Sequence, residues 1–311
     1  MKADYGKIIE TLNKKGKPKI QGDFRLSHIC TMGIGGKTDL LISPNSIAEL
    51  TDTVRSLRQC GIPYKTVGAA SNLIFSDDGF RGAVIRTVGL KGIFFDEGSV
   101  TCEAGVFLPV FCRAAASLGL GSLHGICGIP GTVGGALMTS AGAFGCNIYD
   151  RVTSCTVYRP KTDETETVPI SASDFSYRAS PFFDSDTVIL SASFALPRED
   201  SAAILRKMHQ VTEKRKATQP VGERSAGSYF KRPKNAPPAA FLIDRAGLKG
   251  YSIGGAAVSD KHAGFIINRG NATSSDILAL ADAVKRRVYQ QFSVLLEEEA
   301  EYVEGSVEGT G

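Results

Sequence analysis

What this chain of 311 residues lacks narrows it first. Its seven cysteines are an odd number with no repeated spacing and no C-x-x-C pair, so neither a disulfide framework nor a zinc site is expected. All seven read as reduced thiols, and no metal is expected. The opening segment MKADYGKIIETLNKKGK scatters lysines and has no apolar core of signal-peptide length, so a cytoplasmic location is expected. From Ala114 to Tyr149 the chain carries no formal charge apart from His124, but glycines and Pro130 interrupt it every few positions. A membrane-spanning helix needs about 20 continuous apolar residues, so membrane insertion is not expected. A charged content of 22% and a net charge of +4 mark neither a disordered chain nor a nucleic-acid-coated one. Internal repeats and low-complexity linkers are absent. The length exceeds what one compact core usually serves, which favours two domains or two layers about a cleft. A monomer or weak oligomer is expected.

The periodicities give an α+β order of elements. Residues 1–30 read as a short amphipathic helix and an extended lead-in. DLLISP reads as a strand, and Ser46-Ile47-Ala48-Glu49 as a capping box that opens a helix to about Cys60, with serine and glutamate satisfying each other's backbone donors. PYKTVG and GAVIRT are strands around the turn AASN and complete a βαβ arrangement; TCEAGV and PVFCRAAASLG are a further strand and helix. From Val152 to Leu196 the period becomes two, which predicts antiparallel strands. Helices are predicted in SAAILRKMHQVTEKRKATQP, ended by its Gln-Pro, and in TSSDILALADAVKRRVYQQF. The boundaries are drawn at 31–198 for a first domain of two subdomains, 199–305 for a smaller α+β domain, and 306–311 for a tail.

Two segments are built to hold phosphates. In Gly68-Ala69-Ala70-Ser71-Asn72, which follows a strand, small residues let main-chain amides reach a pyrophosphate, and the Ser71 and Asn72 side chains add hydrogen bonds. The second runs from Gly128 through Pro130, Gly131, Thr132, Gly134 and Gly135 to Ala141 and Gly142. Each glycine in regular structure costs about 0.5–1 kcal/mol relative to alanine, so this density calls for a reason. A tight turn packing helix on sheet is one, and a dinucleotide is the other. Neither segment is G-x-G-x-x-G or a P-loop, so a different grip on a dinucleotide is implied.

IPGTVGGA with AGAFG, and upstream TMGIGG and SNLIFSDDGFRG, resemble the flavin domain of the UDP-N-acetylenolpyruvoylglucosamine reductase (MurB) family, over a span from about Thr31 to Glu299. The resemblance implies a two-subdomain FAD-binding fold of the vanillyl-alcohol oxidase (PCMH) type with a small C-terminal substrate domain. It implies bound FAD, NADPH as hydride donor, and UDP-N-acetylglucosamine enolpyruvate as substrate, reduced to UDP-N-acetylmuramate for peptidoglycan. No inserted capping tyrosine loop is evident, as in the shorter subtype.

On that resemblance, FSYRASPF matches Y-R-x-S-x-F and makes Arg178 the arginine beside flavin and substrate carboxylate, with Tyr177 against the substrate. GSYFKRP matches G-S-x-F-x-x-P and makes Ser228 the proton donor, with Lys231 and Arg232 toward the diphosphate. A hydroxyl is a weak acid, but the carbanion or enolate it must protonate is a strong base. Near the end, VLLEEEAE is similar to V-x-L-E-x-E-V-R and makes Glu299 the catalytic glutamate, with Glu297 as fallback because Ala300 and Glu301 depart from the pattern. His262 is assigned a structural role. Gly68-Ala69-Ala70-Ser71-Asn72 stands where the family shows G-x-G-S-N, and Thr139-Ser140-Ala141-Gly142-Ala143 where it shows M-N-A-G-A. The methyl of Ala70 therefore requires an unusual backbone angle or displaces the pyrophosphate. Two alternatives stay open: an FAD-dependent alcohol or sugar oxidase of the same fold, and a flavin-binding protein without catalysis.

Overall fold

A computed structural model describes residues 5–182 and 186–305; the tail drawn at 306–311 lies outside the described residues. Two compact units interleave along the chain. The first comprises the chain up to Gly22, Leu40–Ala69 and Gly82–Lys214; the second comprises Asp23–Asp39, Ala70–Arg81 and the chain from Arg215. The contact-defined division falls inside the helix Ser201–Thr218, and the second unit takes two segments from the first half of the sequence.

In the first unit, helix α1 (Tyr5–Lys15) and helix α2 (Ile47–Gln59) cover one face of a sheet ordered Lys19–Arg25, Lys37–Ser43, Phe80–Arg86, Tyr64–Val67. Ile8, Leu12, Leu50, Val54 and Leu57 bury against Ala83 and Ile85 there, each large apolar side chain contributing about 1.5–3 kcal/mol. Ser46 Oγ accepts the Glu49 N–H at 3.2 Å as the capping pattern requires. The Glu49 carboxylate, however, takes the Asn45 N–H at 2.8 Å, one residue earlier than a reciprocal box would have it.

A second layer of this unit is a five-stranded antiparallel sheet ordered Glu164–Pro169, Val152–Arg159, Val188–Phe194, Ser99–Glu103, Ile93–Asp96. Its period-two runs bury Cys155, Val157, Ala192 and Phe194 against helix α3 (Leu108–Ser117) and helix α4 (Val133–Met138). Helix α4 forms despite two glycines in its first turn. Thr132 caps it by accepting the Gly135 N–H at 3.3 Å, and Val133 and Gly134 donate to the carbonyls of Val106 and Ala104, both at 2.9 Å. Helix α5 (Ser201–Thr218) ends before the predicted Gln-Pro.

The second unit holds a sheet ordered Arg224–Ser228, Phe265–Asn268, Ala256–Val258, Ser252–Ile253, with helix α6 (Ala239–Arg245) and helix α7 (Ser274–Phe292). Thr273 and Asp276 form a complete capping box on α7, and the Asp77 carboxylate accepts the Ser274 N–H at 2.9 Å and its hydroxyl at 2.8 Å. Hydrogen bonds from residues far apart in sequence explain why early segments join this unit. Thr31 Oγ1 donates to the Ser225 carbonyl at 2.8 Å, Asn268 donates to the Met32 carbonyl at 2.9 Å, and Glu301–Val303 pairs in parallel with Leu73–Phe75. Among the described residues no disulfide forms, no group of acids, histidines and cysteines could hold a metal, and no helix is long and apolar enough to cross a membrane.

Candidate active site

The two glycine-bearing segments meet in the first unit. A Cβ on Gly68 would lie 2.2 Å from Thr132 Oγ1, so only glycine permits this approach. Thr132 is 1% exposed, and its hydroxyl is already engaged in capping α4. Gly134 serves packing: its amide is bonded to Ala104, and a Cβ there would come 2.8 Å from the Ala104 methyl. Ala141 donates to the Ala136 carbonyl at 2.8 Å and accepts from Ile148 at 3.0 Å, while Gly142 pairs with Asn147 in a short hairpin. For Gly134, Ala141 and Gly142 the structure therefore gives internal partners. Gly128 is half-buried, Pro130 and Gly135 are exposed, and Gly131 is buried with its carbonyl accepting from Leu108.

Other amides at this place in the first unit have no acceptor among the described residues: those of Ala69, Gly131 and Thr132. Ala70 is 4% exposed and sits at φ +51°, the left-handed region. The turn therefore keeps the backbone that glycine would adopt, at a cost of about 1–2 kcal/mol for the alanine methyl. Successive amides beside a left-handed residue form an anion-binding concavity, and buried donors without acceptors are rare enough to call for a ligand. The residues present thus fit a pyrophosphate. Asn72, expected to serve the phosphates, donates its side-chain amide to the Glu299 carbonyl at 3.0 Å. Its own carbonyl accepts from Glu301 at 2.9 Å.

Arg178 stands in the first unit, in a turn where Ser176 and Ala179 exchange hydrogen bonds of 3.0 and 3.1 Å. Its φ is +56°. The guanidinium donates to the Ser140 carbonyl at 3.1 Å and lies 5.0 Å from the Tyr177 ring centroid; Tyr177 itself is exposed. Ser140, 1% exposed with φ +51°, donates its hydroxyl to Ser176 at 2.8 Å and so ties the turn to the segment after α4. Tyr149 stacks on Phe175 at 5.2 Å, and burial raises its phenol pKa, Asp150 adding to the shift and Arg178 opposing it. Tyr149 is marked by no motif, and Ser140 only as part of the segment that departs from M-N-A-G-A.

Ser228 and Glu299 lie together in the second unit. Ser228 ends the strand Arg224–Ser228, opposite Phe265, and follows Gly227 at φ +80°. It is half-buried, and its hydroxyl has no protein partner among the described residues. The buried Tyr229 donates its N–H to Gly264 at 2.8 Å and accepts the Glu299 N–H at 2.8 Å, so one residue separates the serine from the direct link to the glutamate. Phe230 bridges Glu298, and the Lys231 N–H donates to the Glu297 carbonyl at 2.8 Å. The Lys231 ammonium reaches the exposed Glu297 carboxylate at 3.5 Å, whereas Glu299 is half-buried; Arg232 is exposed. His262 accepts the Gly264 N–H on Nδ1 at 3.2 Å and meets Phe265 edge-on, a placement inside the turn. Burial lowers its pKa.

Open amides at the head of a parallel strand pair, on an α+β unit backed by an antiparallel sheet, fit the diphosphate of a dinucleotide, and residues 38–167 match the FAD binding domain model, the class of an FAD-dependent oxidoreductase. Residues 219–303 match the C-terminal domain of UDP-N-acetylenolpyruvoylglucosamine reductase. The chain is 38% identical over 294 residues to the UDP-N-acetylenolpyruvoylglucosamine reductase of Carboxydothermus hydrogenoformans, covering 94% of this chain and 97% of that one. It is 39% identical over 269 residues to the reductase of that name from Latilactobacillus sakei, covering 86% and 88%. The crystal structure of UDP-N-acetylenolpyruvylglucosamine reductase (MurB) from Thermus caldophilus superposes with a TM-score of 0.76 at 30% identity, over 92% of this chain and 98% of that one. The chain belongs to the UDP-N-acetylenolpyruvoylglucosamine reductase family, with the FAD-binding PCMH-type fold and its C-terminal domain.

Proposed function

We propose that this chain reduces UDP-N-acetylglucosamine enolpyruvate to UDP-N-acetylmuramate, a peptidoglycan precursor, using bound FAD and NADPH as electron donor. The reaction would take place in the cytoplasm. The amides of Ala69, Gly131 and Thr132 would hold the pyrophosphate, and bound FAD supplies the hydride-transfer chemistry. The chain's own residues orient the substrate and handle one proton. Arg178 holds the substrate carboxylate by a charge-assisted contact. Glu299 shares a proton with that carboxylate, and its half-buried place favours it over the exposed, lysine-paired Glu297. Once the methylene carbon has gained hydride, negative charge rests on the neighbouring carbon and its carboxylate, and the Ser228 Oγ–H donates its proton to that carbon. Lys231 and Arg232 add positive potential for the substrate diphosphate.

The observation that carries this reading is the short main-chain link between Ser228 and Glu299 through Tyr229, with the serine hydroxyl left open. The test is an anaerobic two-step titration of Ser228→Ala. Bleaching of the flavin by NADPH should proceed at the parent rate, and recolouring by the enolpyruvyl sugar should slow by about 10²–10⁴ or more, the scale of a positioned acid. Equal damage to both steps removes Ser228 from the role. Recolouring only in air identifies an oxidase, and a protein that takes up no FAD identifies a non-catalytic chain.

A further inference from the structure

Arg86 is a cation that the fold leaves without a counter-charge at the mouth of the glycine cradle. It ends the strand Phe80–Arg86, directly opposite Val67 in the parallel pair with Tyr64–Val67, and Val67 leads straight into Gly68. Neighbouring strands stand about 4.8 Å apart, and residues opposite one another share a face of the sheet. Ala83 and Ile85 point to the face covered by α1 and α2. Alternation therefore sends Val84 and Arg86 to the other face, together with Val67.

The guanidinium is half-buried there, and its Nε is enclosed without a hydrogen-bond partner. No hydrogen bond or ion pair of this side chain occurs among the described residues. Burial lowers its pKa, with no carboxylate acting in the opposite direction. Arginine stays charged under such conditions, so the charge is partly desolvated and has no counter-charge among the described residues. A fold keeps a group of that kind at a cost unless something else pairs with it. The same end of the strand pair presents the open amide of Ala69, and Gly68 packs there on Thr132, whose amide is also open. An unpaired guanidinium and unpaired amides are independent observations, and both fit an anion.

We propose that Arg86 is the cationic partner of the cofactor's diphosphate and the residue that makes this site prefer a flavin dinucleotide over a flavin without phosphate. The inference rests on the reading that FAD is held by the Gly68–Asn72 loop. Arg86 would pair with the phosphate oxygens through its guanidinium N–H groups, while the amides fix the position of the diphosphate.

The experiment uses the full-length chain stripped of flavin, with Arg86→Met and Arg86→Lys beside the parent. Affinities for FAD and for riboflavin are read from flavin fluorescence, and the stability of the flavin-free proteins from urea unfolding. Arg86→Met should weaken FAD binding by about 10-fold to 100-fold, the scale of a charge-assisted contact, and leave riboflavin binding unchanged. Arg86→Lys should recover part of the loss. Flavin-free Arg86→Met should unfold at the same or a higher urea concentration than the parent, because an unpaired cation has been removed. FAD binding by Arg86→Met at parent affinity overturns the proposal and leaves the flavin reading in place. Parallel losses for FAD and riboflavin, with a less stable flavin-free protein, overturn it in favour of a structural role. A parent that binds FAD no better than riboflavin overturns the underlying reading as well.

Discussion

Replacing Arg178 by glycine and by alanine separates what its side chain does from what its backbone costs. At φ +56° any residue with a Cβ is strained by about 1–2 kcal/mol. Both variants lose the same contacts, the hydrogen bond to Ser140 at 3.1 Å and the stack on Tyr177 at 5.0 Å, so those losses cancel in the comparison. Glycine relieves the strain but adds about 0.4–1 kcal/mol of unfolded-state entropy. Arg178→Gly should therefore be more stable than Arg178→Ala by about 0.5–1 kcal/mol, or about 1–4 °C in melting temperature for a unit of this size. Calorimetry and urea unfolding of the two variants measure that difference. Both should bleach with NADPH normally and recolour slowly with the enolpyruvyl sugar, to the same degree. The strain would then be retained because the guanidinium is needed in that direction. An alanine variant as stable as the glycine variant refutes the strain argument, and parent-like recolouring in either refutes the carboxylate role.

Asn72→Ala removes one hydrogen bond to the Glu299 carbonyl and should cost about 0.5–1.5 kcal/mol. The substrate step should slow while FAD affinity stays at the parent value; a loss of FAD affinity with an unchanged substrate step would return Asn72 to the phosphates. Gly134→Ala sets a methyl 2.8 Å from the Ala104 Cβ; overpacking of about 1–3 kcal/mol, less the roughly 1 kcal/mol that alanine gains in a helix, predicts a net loss of up to about 2 kcal/mol in urea unfolding. An unchanged midpoint contradicts the packing role. His262 has a folded pKa below 6.5, so the folded state binds fewer protons than the unfolded state between the two values. Its contribution to stability is full above 6.5 and is lost as the pH falls through the lower folded value. His262→Gln should flatten the fall in unfolding midpoint over that interval, and an identical pH slope in variant and parent speaks against it.

Local signals were legible in the sequence and long-range ones were not. The strands between Val152 and Phe194 follow from period two, and the Ser46 cap of α2 from spacing alone, because each depends on neighbours within a few residues. Helix α4 carries no local helix signal, because two glycines in one turn argue against a helix; tertiary bonds from Val133 and Gly134 to the segment Ala104–Val106 override that preference. The bond from Asn72 to the Glu299 carbonyl is not legible, because its partner lies 227 residues away. Tyr149 carries no signal in the sequence. Only its stacking on Phe175 brings it into the arginine cluster.

The Gly68–Asn72 loop is fixed at both ends by unrelated means. At one end Gly68 has no room to move against Thr132, and at the other Asn72 is bonded in both directions to the Glu299–Glu301 segment. A loop held so closely at its termini has few conformations left to its three central residues, and a left-handed Ala70 is what remains. The methyl of Ala70 costs stability, and the open amides are set in place before any ligand arrives. Donors fixed in advance need no reordering on binding, which is the condition under which weak main-chain dipoles hold a charged diphosphate well.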